Sequence, residues 1–221
     1  MAKSQIIKEL ASGKVTIDIA LKQLKVLLSE FHRPELLKWA NSELQGYNDK
    51  EQLPDYRIIV GNLLGNFLNY RTKCTSVGIP LRSDAPEALV EMCTKVNIYD
   101  SISALQILLN KDQEFGLQIN SSFLPYIQQY SAISMTALLS ASVEISQTQV
   151  RNIFSYVENK VLDIMLLLEE EFGNLDDLDV DLLSKPEEKI REIEDKIFVI
   201  IYEDNSITIG DNNKMKNTSI G

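Results

Sequence analysis

Residues 24–57 read LKVLLSEFHRPELLKWANSELQGYNDKEQLPDYR, and the chain changes character inside this stretch. Ile17, Leu21, Leu24, Leu27 and Leu28 recur at the three-to-four residue interval of an amphipathic helix, which the spacing predicts to end near His32. Pro34 suits the first turn of a further helix, where a missing N–H costs nothing. Leu36, Leu37, Ala40 and Leu44 then form one apolar stripe, and Gly46 stops it. Pro54 biases its neighbour toward extended backbone, and Tyr56 to Val60 is rich in β-forming residues, so a strand is predicted to begin near Tyr56. Helices followed by short strands in separate blocks indicate the α+β class.

Upstream, Ile6, Ile7 and Leu10 predict a short helix closed by Gly13. Downstream, Asn62 to Tyr70 is interrupted by Gly65, and Gly78, Pro80 and Pro86 mark irregular chain. Short helices are predicted at 86–95 and 101–111, with brief strands at Phe115–Ile119 and Ser142–Ile145, together a small mixed α/β middle. A long helix is predicted from about 148 to 172, with Val150, Ile153, Phe154, Val157, Val161, Met165 and Leu168 on one face. Ser184 to Glu187 has the S-x-x-E form of a capping box opening a charged helix to about 196. Ile197 to Tyr202 reads as a strand, and Ile209-Gly210 recurs as Ile220-Gly221 in an Asn/Asp/Gly-rich setting, the composition of short β-rungs. The expected division is an α+β unit at 1–172, an acidic linker at 173–184, and a short helix plus β-tail at 185–221.

Two rungs cannot bury a face alone, so Ile207, Ile209, Gly210 and Ile220 are candidates for pairing with other copies, the alternative being a frayed terminus. The net charge of the 221 residues is −10. Most of it falls in 151–221, with 8 basic against 17 acidic residues, and Glu169 to Asp181 contains no Lys or Arg. Such a balance disfavours direct binding to nucleic acid or to an anionic membrane. The start lacks a secretory h-region, no apolar run approaches a bilayer span, and two cysteines do not make a disulfide framework, so a cytoplasmic protein is expected.

Chemistry-bearing residues are sparse. His32 is the single imidazole, placed to cap a helix C-terminus rather than to serve a triad. Cys74 and Cys93 are far apart and read as small apolar residues, and neither they nor His32 has the spacing of a zinc site. Asp177, Asp179, Asp181 and Glu188 match the acidic positions of a calcium loop, but Leu182 stands where glycine is required and Lys185 adds a positive charge. Leu178, Val180 and Leu182 alternate with those acids, as in an extended amphipathic strip. GNLLG at 61–65 lacks the Lys-Ser/Thr of a phosphate loop, and the triplets at 187–189 and 194–196 are E-x-K fragments of the kind that any charged helix produces. Arg71, Lys73 and Arg82 are the nearest approach to a basic patch. No catalytic residue, metal ligand or cofactor site is assigned.

Two motifs do stand out in order: W-x-x-x-E-L-x-G-Y, made by Trp39, Glu43, Leu44, Gly46 and Tyr47, and L-P-x-Y-R, made by Leu53, Pro54, Tyr56 and Arg57. In this arrangement the chain resembles the AbiTii-type abortive-infection proteins of bacteria. Trp39 and Glu43 lie one helical turn apart and share a face, and Glu43 and Arg57 are placed to pair across the junction of helix and strand. A structural junction is the favoured role, and a partner surface the alternative, since Trp, Tyr and Arg are the usual interface anchors. The resemblance implies an antiphage protein. The leading expectation is a non-enzymatic, oligomerising module that binds a companion defence protein or a phage component. The alternatives are a metal-dependent, nuclease-like toxin and an acidic, antitoxin-like regulator.

Overall fold

The fold is described from a computed structural model over residues 3–48, 52–110 and 115–203. It opens with α1 (Gln5–Ala11), α2 (Ile17–Leu28) and α3 (Pro34–Gln45). A mixed region follows, with β1 (Ile58–Val60), β2 (Asn62–Asn69), β3 (Thr72–Gly78), α4 (Glu87–Thr94), β4 (Lys95–Asn97), α5 (Ile102–Leu109), β5 (Phe115–Gln118), α6 (Leu124–Tyr130) and β6 (Ala137–Ile145). Two helices close it, α7 (Gln147–Phe172) and α8 (Glu187–Tyr202). The class is α+β.

Every strand pairing is antiparallel: β1 with β4 in a two-stranded ladder, and a four-stranded sheet in the order β3-β2-β6-β5. The alternating burial of β2 and β6 sends Leu63, Phe67, Leu138, Ala141 and Val143 inward, while Asn66 and Ser140 on the opposite face bond each other at 2.8 Å. α7 is the spine. Its capping box, Ser146 with Gln149, starts a helix whose face Val150, Ile153, Val157, Val161, Ile164, Met165 and Leu168 is buried against α1, α2, α5 and α8. Buried apolar side chains from Ile6 to Ile201 form one contiguous cluster.

Several expectations are corrected. The β2–β3 hairpin replaces the irregular chain predicted after Tyr70. Gly65 lies within β2, where a Cβ would meet the Ile79 side chain and, at 3.0 Å, that of Leu138. α6 was not predicted, and β6 is longer than its predicted piece. α2 ends at Leu28, four residues before His32, which is exposed and uses its backbone N–H to donate to Glu194 Oε1 at 3.0 Å. Cys93 is buried, with its thiol pushed up to about 11 by burial, whereas Cys74 on β3 is only partly covered. Ile197 to Tyr202 is not a strand: Ile190, Ile193, Ile197 and Ile201 continue one helical face into the core against α3 and α7, and this packing overrides β propensity. Nor does the capping box at 184–187 form. Pro186 occupies the N-cap and the Ser184 hydroxyl donates to Asp181 O at 2.6 Å. The candidate rung residues Ile207, Ile209, Gly210 and Ile220 lie outside the described residues.

The acidic stretch after α7 is attached to the body. Leu175 and Val180 are buried while Asp177, Asp179 and Asp181 face solvent, so the apolar residues alternate inward as their spacing suggests. Asp176 of this stretch and Glu169 in the last turn of α7 hold the start of α1, whose N-cap Ser4 makes no side-chain capping bond to its own helix. Instead Asp176 accepts the backbone N–H groups of Gln5 and Ile6, at 2.6 and 3.4 Å. Glu169 accepts the N–H and hydroxyl of Ser4, each at 2.5 Å, and pairs with Lys3 at 2.8 Å. The Ser4 hydroxyl accepts the N–H of Leu175 at 3.0 Å. Two orphan donors of the first helix, the N–H groups of Gln5 and Ile6, are thus satisfied by a side chain some 170 residues away in sequence.

Burial alone would raise the Glu169 carboxyl, but hydrogen bonds from Lys3 and Ser4, with the Lys3 charge, hold it at about 2 against an ordinary 4.5. A group depressed on folding contributes its full stability above the unfolded value and loses it as pH falls through the folded one. The urea midpoint of wild type should exceed that of Glu169→Gln at about pH 6, and the gap should close as pH falls from about 4.5 toward 2. A gap independent of pH would show that the clasp does not depend on the carboxylate charge.

Candidate functional site

The two motifs converge on one buried carboxylate. Trp39 and Glu43 project from the same face of α3, 2% and 0% exposed. Gly46 ends the helix at φ +96°, where an added Cβ would sit 2.9 Å from Tyr99 O, and the next N–H, of Tyr47, donates to that same Tyr99 oxygen at 2.8 Å. From the other side, Pro54 leads not directly into a strand but into a single 3-10 turn, Asp55–Arg57. Neighbours in a strand point to opposite faces, whereas the turn lets consecutive residues Tyr56 and Arg57 both reach Glu43.

The bonds close into a network. The Tyr47 and Tyr56 hydroxyls each donate to Glu43 Oε1 at 2.6 Å. The Trp39 indole N–H donates to the Tyr56 oxygen at 2.9 Å. An Arg57 Nη donates to Glu43 Oε2, forming an ion pair in which both side chains are 0% exposed, as the motif spacing suggests. The other Nη donates to Asp100 O at 2.6 Å, and the guanidinium carbon lies 5.1 Å from the centre of the Tyr47 ring. Burial first, then the charge of Glu43, raises both tyrosine hydroxyls well above their ordinary 10. They stay protonated donors at neutral pH. Leu44 packs at the edge of the core and Leu53 is buried beside the turn.

Above the network lies a cleft of about 400 Å³, floored by Trp39, Tyr47 and Tyr56 and walled by Lys38 and Ser42 of α3, Gln52 to Asp55, Tyr156 and Lys160 of α7, and Ile201 and Tyr202 of α8. Tyr156 stacks on Tyr56, with centroids 5.9 Å apart and planes at 19°. Lys160 Nζ is 5.9 Å from the Tyr56 ring centre and donates to Ile200 O at 2.6 Å, while the Tyr202 hydroxyl donates to Glu35 O at 3.1 Å. The motifs supply the floor and, with Leu53 and Pro54, part of one wall, whereas Tyr156 and Lys160 belong to no motif. Lys38 adjoins the first motif. Tyr156 and Lys160, four residues apart on α7, share a face, the one signal that marked them together.

The other residues considered from sequence do not join this site. Glu187 pairs with Arg191 at 2.5 Å, Lys189 with Glu192 and Glu171 at 3.1 and 3.3 Å, and Lys196 with Glu192 at 2.8 Å, as in a solvated helix face. Lys185 pairs with Glu171 at 3.1 Å and lies over the Phe172 ring. Arg82 pairs with Asp84, and Arg71 and Lys73 are exposed at the β2–β3 hairpin. Among the described residues, no group of three or more His, Cys, Asp or Glu side chains is placed to hold a metal ion, and no helix is long and apolar enough to cross a membrane.

A sequence model of the AbiTii family matches residues 4–194, most of the 221-residue chain. The chain belongs to the AbiTii family. AbiTii membership gives it a role in abortive-infection defence against phage. No curated protein and no solved structure matches it. Both motifs, Tyr156 and Lys160 lie inside the AbiTii match, whereas the cleft wall at Ile201 and Tyr202 lies beyond it.

Removing one member of a buried pair leaves the other charged and unpartnered, which costs about 3–5 kcal/mol. Glu43→Ala and Arg57→Ala should each destabilise the fold by about that amount in urea unfolding, with the double variant well short of the sum. Additive losses would mean that the two side chains do not depend on one another.

Proposed function

We propose that this AbiTii protein acts in the cytoplasm as a non-enzymatic binding module. Its motif cleft receives part of a companion defence protein or phage component, and residues 204–221 assemble it with other copies. The observation that carries the reading is that the Glu43 carboxylate is saturated beneath the cleft, by the Tyr47 and Tyr56 hydroxyls and an Arg57 Nη, with the Trp39 indole bonded to Tyr56. A carboxylate that already accepts two hydroxyls and a guanidinium serves as a fixed support for the surface above it. That surface has the composition of a recognition site. Tyr156 and Tyr202 are 42% and 44% exposed at its edge, with Lys38 and Lys160 beside them. The recurrence of Ile-Gly at 209–210 and 220–221 supports assembly through the tail.

Cells expressing Tyr156→Ala or Lys160→Met should lose protection in a phage challenge while the purified variants, though less stable for the lost contacts, remain folded by near-ultraviolet circular dichroism. Retained protection would remove the cleft from the account. Truncation after Glu203 should lower the mass found by sedimentation, and an unchanged mass would remove the tail from it.

A further inference from the structure

The four-stranded sheet has two open edges, and they are not alike. At β3 two residues, Thr75 and Ser76, oppose the single Asn66. Ser76 stands at φ +51° with its N–H donated to the Asn66 side chain at 2.9 Å, and Lys73 adds a charge. A bulge and a lysine are devices that keep an edge strand from pairing with another chain. β5 has neither. It opens residues 115–143, which contain no Asp, Glu, Lys or Arg in a chain where 24% of residues are charged. Gly116, Leu117 and Gln118 are all exposed, Leu117 to 54%. The Ile119 N–H donates to Ala141 O at 2.9 Å, so in the ladder with β6 the hydrogen-bonded pairs are 119–141, 117–143 and 115–145. Gly116 and Gln118, in alternation, aim their N–H and C=O groups at the free edge, and no partner takes them among the described residues.

We infer that β5 is a contact between two copies of this chain, paired antiparallel about a two-fold axis through Leu117. The free groups fix the register. Gly116 of each copy opposes Gln118 of the other, and each of these two pairs exchanges two hydrogen bonds. Leu117 faces its own counterpart in the pair between them, where Cα atoms approach to about 4.5 Å and side chains meet most closely. Its apolar side chain, on the face of Val143 but left uncovered at the margin of the sheet, is thereby buried. The Gln118 side chain does not obstruct the edge, because its Nε2 donates back to Ala141 O at 2.9 Å. The two sheets become one of eight strands, joined β5 to β5. Charge selects a second copy as the occupant. A basic partner would be met by carboxylates, whereas two chains of net charge −10 approach at least cost where neither carries charge, and the open edge begins the charge-free run. This contact is separate from assembly through residues 204–221 and adds to it.

Oxidative cross-linking of the full chain reads this register directly. In a Cys74→Ser background, Leu117→Cys places two thiols in a non-hydrogen-bonded pair, with Cβ atoms about 4.5–5.5 Å apart and within reach of a disulfide. Oxidised glutathione should convert most of that chain to a covalent dimer on a non-reducing gel. Tyr70→Cys, exposed at the far hairpin of the sheet, should stay largely monomeric there. Leu117→Lys and Leu117→Glu each set like charges opposite one another at the two-fold, so each should lower the mass found by sedimentation, and an equimolar mixture of the two should restore the wild-type value. If a charged variant fails to fold, the cross-link still decides. The proposal is overturned if Leu117→Cys cross-links no more than Tyr70→Cys, if the folded charged variants keep the wild-type mass, or if their mixture stays dissociated. A monomeric full chain also overturns it and leaves the edge to a strand of another protein. Failure here is separable from failure of assembly through the tail. A full chain that assembles without the Leu117→Cys cross-link overturns this contact alone, and a cross-linking chain whose mass is unchanged by truncation after Glu203 overturns the tail alone.

Discussion

A carboxylate and a guanidinium without access to water can persist in a fold only when polar partners replace the hydration that each has lost. The pairing of Glu43 with Arg57 sets that condition, and the surrounding residues meet it for the carboxylate and for both terminal guanidinium nitrogens, while the buried Arg57 Nε has no hydrogen-bond partner among the described residues. Two tyrosine hydroxyls complete the carboxylate, the Asp100 carbonyl takes a second guanidinium nitrogen, and the Trp39 indole satisfies the Tyr56 oxygen. Each partner comes from a different local device. The helix face supplies Trp39 and Glu43, the glycine stop brings in Tyr47, and the 3-10 turn brings in Tyr56 with Arg57. The two motifs are therefore one three-dimensional object, and a change at any of these positions leaves a buried polar group without its partner.

From that anchor the rest of the architecture takes its place. The turn carrying Tyr56 and Arg57 packs on α7, and α8 lies against α3 and α7, so three elements far apart in sequence enclose one cleft. A second fastening, at the opposite end of α7, joins Glu169 and Asp176 to the start of α1. The acidic final third of the chain thus contributes to the fold as well as to the surface charge.

Much of this was legible in the sequence because its signals are local. The helices of residues 5–45, the long α7 with its apolar face and the Glu43–Arg57 pair all follow from spacing and from stop residues. What escaped depended on tertiary context. The β2–β3 hairpin turns at Tyr70-Arg71 with Tyr70 at φ +53°, a conformation usually marked by Gly or Asn, so no turn residue announced it. The run Ile197 to Tyr202 has the composition of a strand, and only burial of an isoleucine at every third or fourth position, from Ile190 to Ile201, against α3 and α7 makes it helical. The cleft walls were hidden for the same reason. Tyr156 and Lys160 belong to the partly exposed side of α7, and nothing in their own stretch says that α3 lies opposite.

On the binding-module proposal, the motif carboxylate supports a binding surface and takes no part in bond making. A phage challenge of cells carrying the double variant Glu43→Gln/Arg57→Gln tests this most directly, because it removes both charges together and keeps hydrogen-bonding amides in their place. With the purified variant shown to be folded by near-ultraviolet circular dichroism, the account predicts protection in proportion to the amount of folded protein. A well-folded variant that gives no protection would contradict it and assign the carboxylate a chemical role.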